Sequence, residues 1–218
     1  MHPLTPEWYK PRPDLLKFDS ITSKFKDNLL DGIKVVENWI SEEDIDLAMS
    51  IINQYPVNNE ATHSYPIHWA ETYNETDVER KFSKRIGNKM VAKASELYDE
   101  PITLDKKFLY VVHPTGTYID PHTDILDIHD NDYEHESLDE QLRRFPYLWS
   151  GHCSVLVYLN DEYEGGELYF PDLDFGVRPK KGMLIAFPGN LYYTHGVAPV
   201  TSGTRYTLSQ WCYFDNFK

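Results

Sequence analysis

CSVLVYLNDEYEGGELYF, residues 153–170, is the stretch that decides the fold. Two short runs of valine, leucine, tyrosine and phenylalanine, residue types that favour strands, flank a polar segment containing Gly165 and Gly166. The adjacent glycines predict a tight turn, because glycine readily adopts the positive φ angles of such turns. This stretch therefore predicts two strands joined by a turn.

Similar short runs occur throughout the chain after about residue 105, broken by glycine, proline, asparagine and aspartate. The further predicted strands are KKFLYVVH (106–113), TYIDPHTD (117–124), GMLIAFPG (182–189), THGVAPV (194–200) and TRYTLSQWCYF (204–214). Seven closely spaced strands are typical of a sandwich or barrel.

Helical patterns precede these strands. Ser41 followed by the acidic start of EEDIDLAMSIINQY predicts a capped helix over 42–55, since acids favour the first turn. In 76–98 the apolar residues recur at three- and four-residue steps, which predicts a second helix with one buried face. We therefore expect a mainly β fold, a double-stranded β-helix (jelly-roll) core buttressed by two or more N-terminal α-helices, in one domain over residues 1–218.

Two segments lie outside this pattern. Residues 1–20, rich in proline, predict an extended arm. Residues 125–151 form an acidic insertion that is either a solvated loop or a lid over a functional site. Its His129 and His135, with His152 beside it, are irregularly spaced and are expected to be solvated side chains.

Composition excludes several classes of protein. The 218 residues carry a formal net charge of −14, which would repel a phosphate backbone, so no nucleic-acid partner is expected. No apolar run approaches the roughly 20 residues of a membrane span, and the first residues lack a signal-peptide core, so we expect a soluble, cytoplasmic protein. Cys153 and Cys212 stand far apart in apolar runs, which predicts small core residues.

A candidate metal site begins with HTD at 122–124. Alternate residues of a strand face the same side, so His122 and Asp124 are expected to point together. His195, on a late predicted strand, is a third candidate ligand. Two histidines and one carboxylate make the facial triad of non-haem Fe(II) sites.

Ten residues after His195 comes Arg205, with Thr207 on the same face of the last predicted strand. A guanidinium can hold a carboxylate through two parallel hydrogen bonds, and a neighbouring hydroxyl can add another. A buried arginine without such a partner is costly. The pair therefore predicts a carboxylate-binding site.

In order and spacing, His122-x-Asp124, His195 and Arg205-x-Thr207 resemble the Fe(II)/2-oxoglutarate-dependent dioxygenases, in particular their prolyl 4-hydroxylase-like branch. VLVYLNDEYEGGELYF and the closing strands after Pro179 are also similar to that branch. The resemblance covers roughly residues 108–214. One departure is that Tyr118 lies four residues before the first metal histidine, where the family commonly has three.

The resemblance implies a set of roles. His122, Asp124 and His195 would bind Fe(II), and Arg205 with Thr207 would hold the distal carboxylate of 2-oxoglutarate. With O2, the co-substrate would give succinate and CO2 while a C–H bond is hydroxylated; ascorbate would support turnover. Where hypoxia-type prolyl hydroxylases have a co-substrate-binding tyrosine, this chain has either Tyr110 or His113, of which Tyr110 is preferred.

The resemblance further implies a prolyl residue of a peptide or protein as substrate. The same oxygenase chemistry on another residue or a small molecule is one alternative. A non-catalytic jelly-roll or cupin-like binding module is another, although such a module has no need of the Arg205-Thr207 pair. The acidic insertion gives the further hypothesis of a lid that favours basic or neutral peptides.

Overall fold

The computed structural model describes residues 2–10, 21–55, 67–69, 76–124 and 152–215. Its α-helices are α1 (Glu42–Ile52) and α2 (Asp77–Tyr98). Both begin as predicted: Ser41 and Thr76 cap them by accepting hydrogen bonds from the amides of Asp44 and Glu79. Neither helix, nor any other in the described ranges, is long and apolar enough to span a membrane.

The strands follow the predicted pattern after residue 100, and a short strand is also observed in GIKVVENWI (32–40), where that stretch predicts one; the strand at Ile67–Trp69 is an addition. The strands are β1 (Lys34–Val36), β2 (Ile67–Trp69), β3 (Ile102–Pro114), β4 (Ile119–His122), β5 (His152–Tyr158), β6 (Glu164–Gly165), β7 (Leu168–Phe170), β8 (Phe175–Val177), β9 (Leu184–Pro188), β10 (His195–Val197), β11 (Val200–Ser202) and β12 (Thr204–Phe214).

These strands form two main sheets. The major sheet has six strands in the order β1-β9-β5-β12-β3-β2, and the minor sheet has four in the order β4-β10-β7-β8. The pairings are antiparallel, and β6 and β11 form a separate ribbon. This is the predicted jelly roll.

Each face of the major sheet is covered. On its outer face Val155, Leu208 and Tyr110 pack in one core with Phe82 and Met90 of α2. On its inner face Tyr158, Ile185 and Phe187 pack against Leu168 and Phe170 of the minor sheet. The helices therefore support the major sheet from outside and leave the space between the sheets for a site.

Some expectations about single segments change. THGVAPV is not one strand, because the chain breaks at Ala198 and Pro199 between β10 and β11. β4 ends at His122, so Asp124 lies beyond the strand.

Residues 2–10 make two successive turns against the minor sheet: His2 stacks on Tyr169, and Tyr9 donates a hydrogen bond to Asp172. The predicted lid at 125–151 and residues 11–20 of the arm lie outside the described residues.

The cysteine prediction is confirmed and the histidine prediction is corrected. Cys153 and Cys212 are fully buried and stand opposite each other on β5 and β12. His152 is not a solvated side chain: it is only 6% exposed, and its ring packs edge-on against Trp211 and Tyr213. Sequence proximity to the acidic insertion misled this prediction, because His152 already belongs to a central strand.

Candidate active site

Three predicted ligand residues meet between the sheets. His122 and His195 stand opposite each other on β4 and β10, and Asp124 follows β4. Nε2 of His122 lies 3.4 Å from Oδ1 of Asp124, and Nε2 of His195 lies 3.5 Å from Oδ2. One ligand atom from each of the three residues lies within 4.8 Å of the others. This donor set and spacing fit a facial triad for a divalent metal ion.

Backbone carbonyls fix the orientation of both imidazoles. Nδ1 of His122 lies 2.8 Å from the carbonyl oxygen of Asp120, and Nδ1 of His195 lies 3.0 Å from that of Tyr193. A carbonyl oxygen only accepts hydrogen bonds, so each Nδ1 carries the hydrogen. In the neutral rings this leaves a lone pair on each Nε2, on the side of Asp124, as a metal ligand requires.

The protonation states suit the same role. Burial lowers the pKa of His195 to about 4, although Asp124 opposes the shift. Burial by itself would raise the pKa of Asp124, but His195 and His122 outweigh it and hold that pKa well below its usual value. At neutral pH the site therefore offers a carboxylate and a neutral His195. Burial opposes charge on His122 as well, but Asp124 raises its pKa.

Two further contacts hold the triad. The hydroxyl of Ser154, on β5, donates a hydrogen bond to Oδ2 of Asp124. The ring of His195 packs against Phe187 at 4.5 Å and Phe170 at 5.9 Å between ring centroids. Because Asp124 lies beyond β4, the bond from Ser154 replaces the strand pairing that would otherwise hold it.

Arg205 lies deeper between the sheets and is only 2% exposed. Its guanidinium stacks over the ring of Tyr158, with 5.0 Å from Cζ to the ring centroid, and NH2 donates to the Tyr158 hydroxyl at 3.3 Å. Thr207, 2% exposed, follows on the same face of β12 and stands opposite Tyr158. In the described part of the chain no carboxylate pairs with Arg205. A buried cation in this state fits an incoming carboxylate.

The glycine turn packs against this arginine. Gly166 has a φ of +69°, and a Cβ added there would lie 3.1 Å from Cδ of Arg205 and 3.0 Å from the ring of Tyr163. Glycine is favoured at this position by its backbone conformation and by the close approach of Arg205.

The structure does not bring Tyr110 to this pocket. Tyr110 stands opposite Leu208 of β12, on the helix side of the sheet, and stacks near Phe82 and Phe108. His113 instead stands directly opposite Arg205. Since successive residues of a strand alternate between faces, Tyr110 and His113 occupy opposite sides of β3. The geometry therefore favours His113 over the preferred Tyr110.

Two residues of the site were not identified from the sequence. Ser154 and Tyr158 lie on one face of β5, about 13 Å apart at the usual rise of roughly 3.3 Å per residue. Ser154 meets Asp124 and Tyr158 meets Arg205. Their shared strand parity in CSVLVYLN was the available signal. β5 thus connects the triad to the arginine pocket.

Comparisons with known proteins agree with this geometry. Residues 108–213 match the model of the 2OG-Fe(II) oxygenase superfamily. Human prolyl 3-hydroxylase 2 is 37% identical over 67 residues, which are 28% of this chain and 10% of that protein. The chain thus spans about a tenth of the length of this curated relative.

Solved structures share the fold at low sequence identity. A viral collagen prolyl hydroxylase from Paramecium Bursaria Chlorella virus-1, in complex with 2OG, has a TM-score of 0.54 and 21% identity, covering 84% of this chain and 96% of that one. A Trichoplax adhaerens prolyl hydroxylase, in complex with a hypoxia inducible factor peptide, has a TM-score of 0.55 and 16% identity, covering 85% and 84%.

The fold, the geometry of the site and the family match all point to the same class of protein, the 2OG-Fe(II) oxygenases. Residues 108–213 match the 2OG-Fe(II) oxygenase superfamily, and the predicted resemblance of this chain to the Fe(II)/2-oxoglutarate dioxygenases of the prolyl hydroxylase branch is confirmed. That superfamily is defined by Fe(II) and 2-oxoglutarate.

Proposed function

We propose that this protein hydroxylates a prolyl residue of a peptide or protein, with Fe(II) held by His122, Asp124 and His195. The balanced reaction consumes the substrate C–H bond, 2-oxoglutarate and O2, and yields the hydroxylated residue, succinate and CO2. The bound metal and co-substrate supply the oxidative chemistry, while the chain binds, orients and shields them. Ascorbate is proposed as the reductant that keeps the iron ferrous.

The observation that carries this proposal is the buried Arg205 beside the triad. Burying an arginine without an anion is costly, and Arg205 has no carboxylate partner in the described ranges. The distal carboxylate of 2-oxoglutarate supplies that anion, with Thr207 as a second hydrogen-bond donor. The metal triad alone would also fit an inert metal-binding module, which would not need this pocket.

The protein residues have separate tasks in this proposal. His122, Asp124 and His195 would hold the metal ion, which would supply the binding of the co-substrate and of O2. Arg205, stacked on Tyr158, fixes the far end of the co-substrate. Phe170 and Phe187 pack around His195 and exclude water from it.

The prolyl substrate is supported by the relatives alone. Both solved structures described above are prolyl hydroxylases, one of them bound to a peptide, and the matched curated relative is a prolyl 3-hydroxylase. The proposal covers hydroxylation of the prolyl ring at any carbon atom.

Turnover tests the proposal. The protein is incubated with Fe(II), ascorbate, 2-oxoglutarate and a library of proline-containing peptides, and succinate and peptide masses are measured. We expect succinate together with the gain of one oxygen atom on peptides that contain proline and not on matched peptides with alanine instead. Succinate with oxygen on other residues would replace proline as the substrate. Folded, iron-loaded protein that forms no succinate with any peptide would contradict the oxygenase function.

Removing the arginine tests the co-substrate pocket. Arg205→Ala removes charge-assisted hydrogen bonds worth roughly 1.5–3 kcal/mol each, so 2-oxoglutarate affinity should fall at least about tenfold while iron affinity is kept. Calorimetry on the iron-loaded protein without oxygen measures both. Arg80→Ala, which removes an exposed arginine of α2, is the matched control and should change neither. An unchanged 2-oxoglutarate affinity in Arg205→Ala would refute this role.

A further inference from the structure

His113 and Arg205 occupy the same side of the major sheet. They stand directly opposite each other on β3 and β12, and their exposed fractions are 0% and 2%. Directly opposed residues of antiparallel strands are close neighbours on one face. A carboxylate bound at Arg205 would therefore lie near the imidazole of His113.

Two nitrogens of this pair have unused hydrogen-bonding capacity. Within the described part of the chain, Nε2 of His113 and Nε of Arg205 are buried and have no hydrogen-bond partner. Buried polar atoms are almost always satisfied in native proteins. A ligand that carries acceptor oxygens would satisfy both nitrogens, provided that Nε2 of His113 bears a hydrogen.

The hydroxyl of Thr117 determines where the hydrogen of neutral His113 lies. Its Oγ1 donates to the carbonyl oxygen of Pro114 at 2.7 Å and lies 3.5 Å from Nδ1 of His113. A hydroxyl has one hydrogen to donate, so toward Nδ1 it can only accept. The hydrogen of neutral His113 is therefore on Nδ1, and Nε2 presents a lone pair.

The charge of the pocket changes when a dicarboxylate arrives. Burial, followed by the positive charge of Arg205, holds the pKa of His113 well below its usual value, so the ring is neutral without a ligand. Among the described residues, Arg205 is the charged group that acts on His113. The tyrosines beside Arg205, Tyr158 and Tyr163, stay protonated because burial raises their pKa. A carboxylate would compensate Arg205 and would repel the lone pair of His113.

We propose that His113 takes up a proton at Nε2 when 2-oxoglutarate binds, and donates the resulting hydrogen bond to the co-substrate carboxylate held by Arg205. The distal carboxylate of 2-oxoglutarate is then held by two cations, Arg205 and the protonated His113. This inference rests on the proposed function, because it requires that 2-oxoglutarate is the ligand.

Proton uptake makes co-substrate affinity depend on pH with a definite sign. Binding raises the pKa of His113, so affinity increases as the pH falls through the range between the raised pKa of the complex and the low pKa of the free protein. Above the upper limit both states are neutral, and the dependence disappears. One proton gives at most about a tenfold change in affinity per pH unit.

Calorimetry without oxygen tests the inference on the iron-loaded protein. 2-Oxoglutarate is titrated in buffers of different ionisation enthalpy between pH 6 and pH 8, which counts the protons taken up on binding. The wild type should take up close to one proton at the acidic end and bind about tenfold more tightly there than at pH 8. His113→Gln, which can donate a hydrogen bond but does not titrate, should show neither effect.

The possible outcomes separate this inference from the proposed function. No binding of 2-oxoglutarate to the wild type at any pH would contradict the proposed function itself. Binding without proton uptake, or equal uptake by the wild type and His113→Gln, would overturn the role of His113 alone. Should His113→Gln fail to fold, nitrogen NMR of isotope-labelled histidines in the wild type reports the same protonation directly: the His113 ring must become doubly protonated on binding, and a ring that stays neutral refutes the inference.

Discussion

The hydroxyl of Ser154 holds the one triad residue that lies outside a strand. It donates a hydrogen bond to Oδ2 of Asp124, which follows the end of β4. Groups that orient a metal ligand are commonly worth 10- to 100-fold in metal affinity. We therefore expect Ser154 to fix the position of Asp124 as a metal ligand.

Ser154→Ala should lower Fe(II) affinity roughly tenfold or more and reduce turnover, because Asp124 loses its fixed orientation. Competition with a coloured iron chelator measures the affinity. Ser154→Thr keeps the hydroxyl and should restore most of the affinity. Equal iron affinity in the wild type and Ser154→Ala would show that Asp124 is positioned by other contacts.

Gly166 offers a test of the arginine pocket that leaves Arg205 itself unchanged. Gly166→Ala places a methyl group 3.1 Å from Cδ of Arg205, so 2-oxoglutarate affinity should fall while iron affinity is retained. Gly116→Ala is the matched control, because Gly116 also has a positive φ, +93°, but nothing lies within 4 Å of the added Cβ.

Both glycine variants should lose roughly 1–2 kcal/mol of stability from backbone strain, measured by chemical denaturation. Only Gly166→Ala should bind 2-oxoglutarate more weakly in calorimetry. A similar loss of affinity in both variants would attribute the effect to strain and not to Arg205.

At the scale of elements, β3 shows what the sequence could and could not predict. KKFLYVVH was correctly predicted as a strand, but buried apolar residues occupy both of its faces, such as Val112 on the helix side and Val111 on the other. Polar–apolar alternation therefore could not reveal which face is inside. The sequence therefore left Tyr110 and His113 as alternatives, and the register with Arg205 places His113 on the inner face.

Tyr110→Phe tests the two faces of β3. The substitution keeps the ring packed near Phe82 and Phe108, and the lost hydroxyl is on the helix side of the sheet. We expect 2-oxoglutarate affinity and iron affinity to stay within about twofold of the wild type, a change that corresponds to less than about 0.5 kcal/mol. A large loss of 2-oxoglutarate affinity without unfolding would return Tyr110 to the co-substrate pocket.

At the site, too, local sequence patterns predict some residues, whereas contacts between distant segments cannot be predicted from them. The convergence of His122 and His195 with Asp124 could be predicted because their residue types and spacing suit a metal triad; the role of Arg205 stays a prediction. Strand parity could place Ser154 on one face of β5, but its contact with Asp124 and the facing of Cys153 and Cys212 depend on which strands are neighbours in the sheet. That order is set by packing between distant segments, which no local period records.

In the whole molecule, the helices that stabilise the fold and the residues of the candidate site lie on opposite faces of the major sheet. The helices pack on the outer face of the major sheet, and the triad and Arg205 lie between the two sheets. β5 and β12 run side by side, and β5 carries both Ser154, which contacts Asp124, and Tyr158, which contacts Arg205. In the proposed function, a small dicarboxylate bridges these two ends.

Visible absorption of the iron-loaded protein without oxygen tests this central claim most directly. Chelation of Fe(II) by the keto-acid end of 2-oxoglutarate produces a charge-transfer band that neither component gives alone. We predict that the band develops and saturates on adding 2-oxoglutarate to the wild type with Fe(II), and that it does not develop in His195→Ala. Folded wild-type protein that binds Fe(II) but shows no band at saturating 2-oxoglutarate would contradict the account.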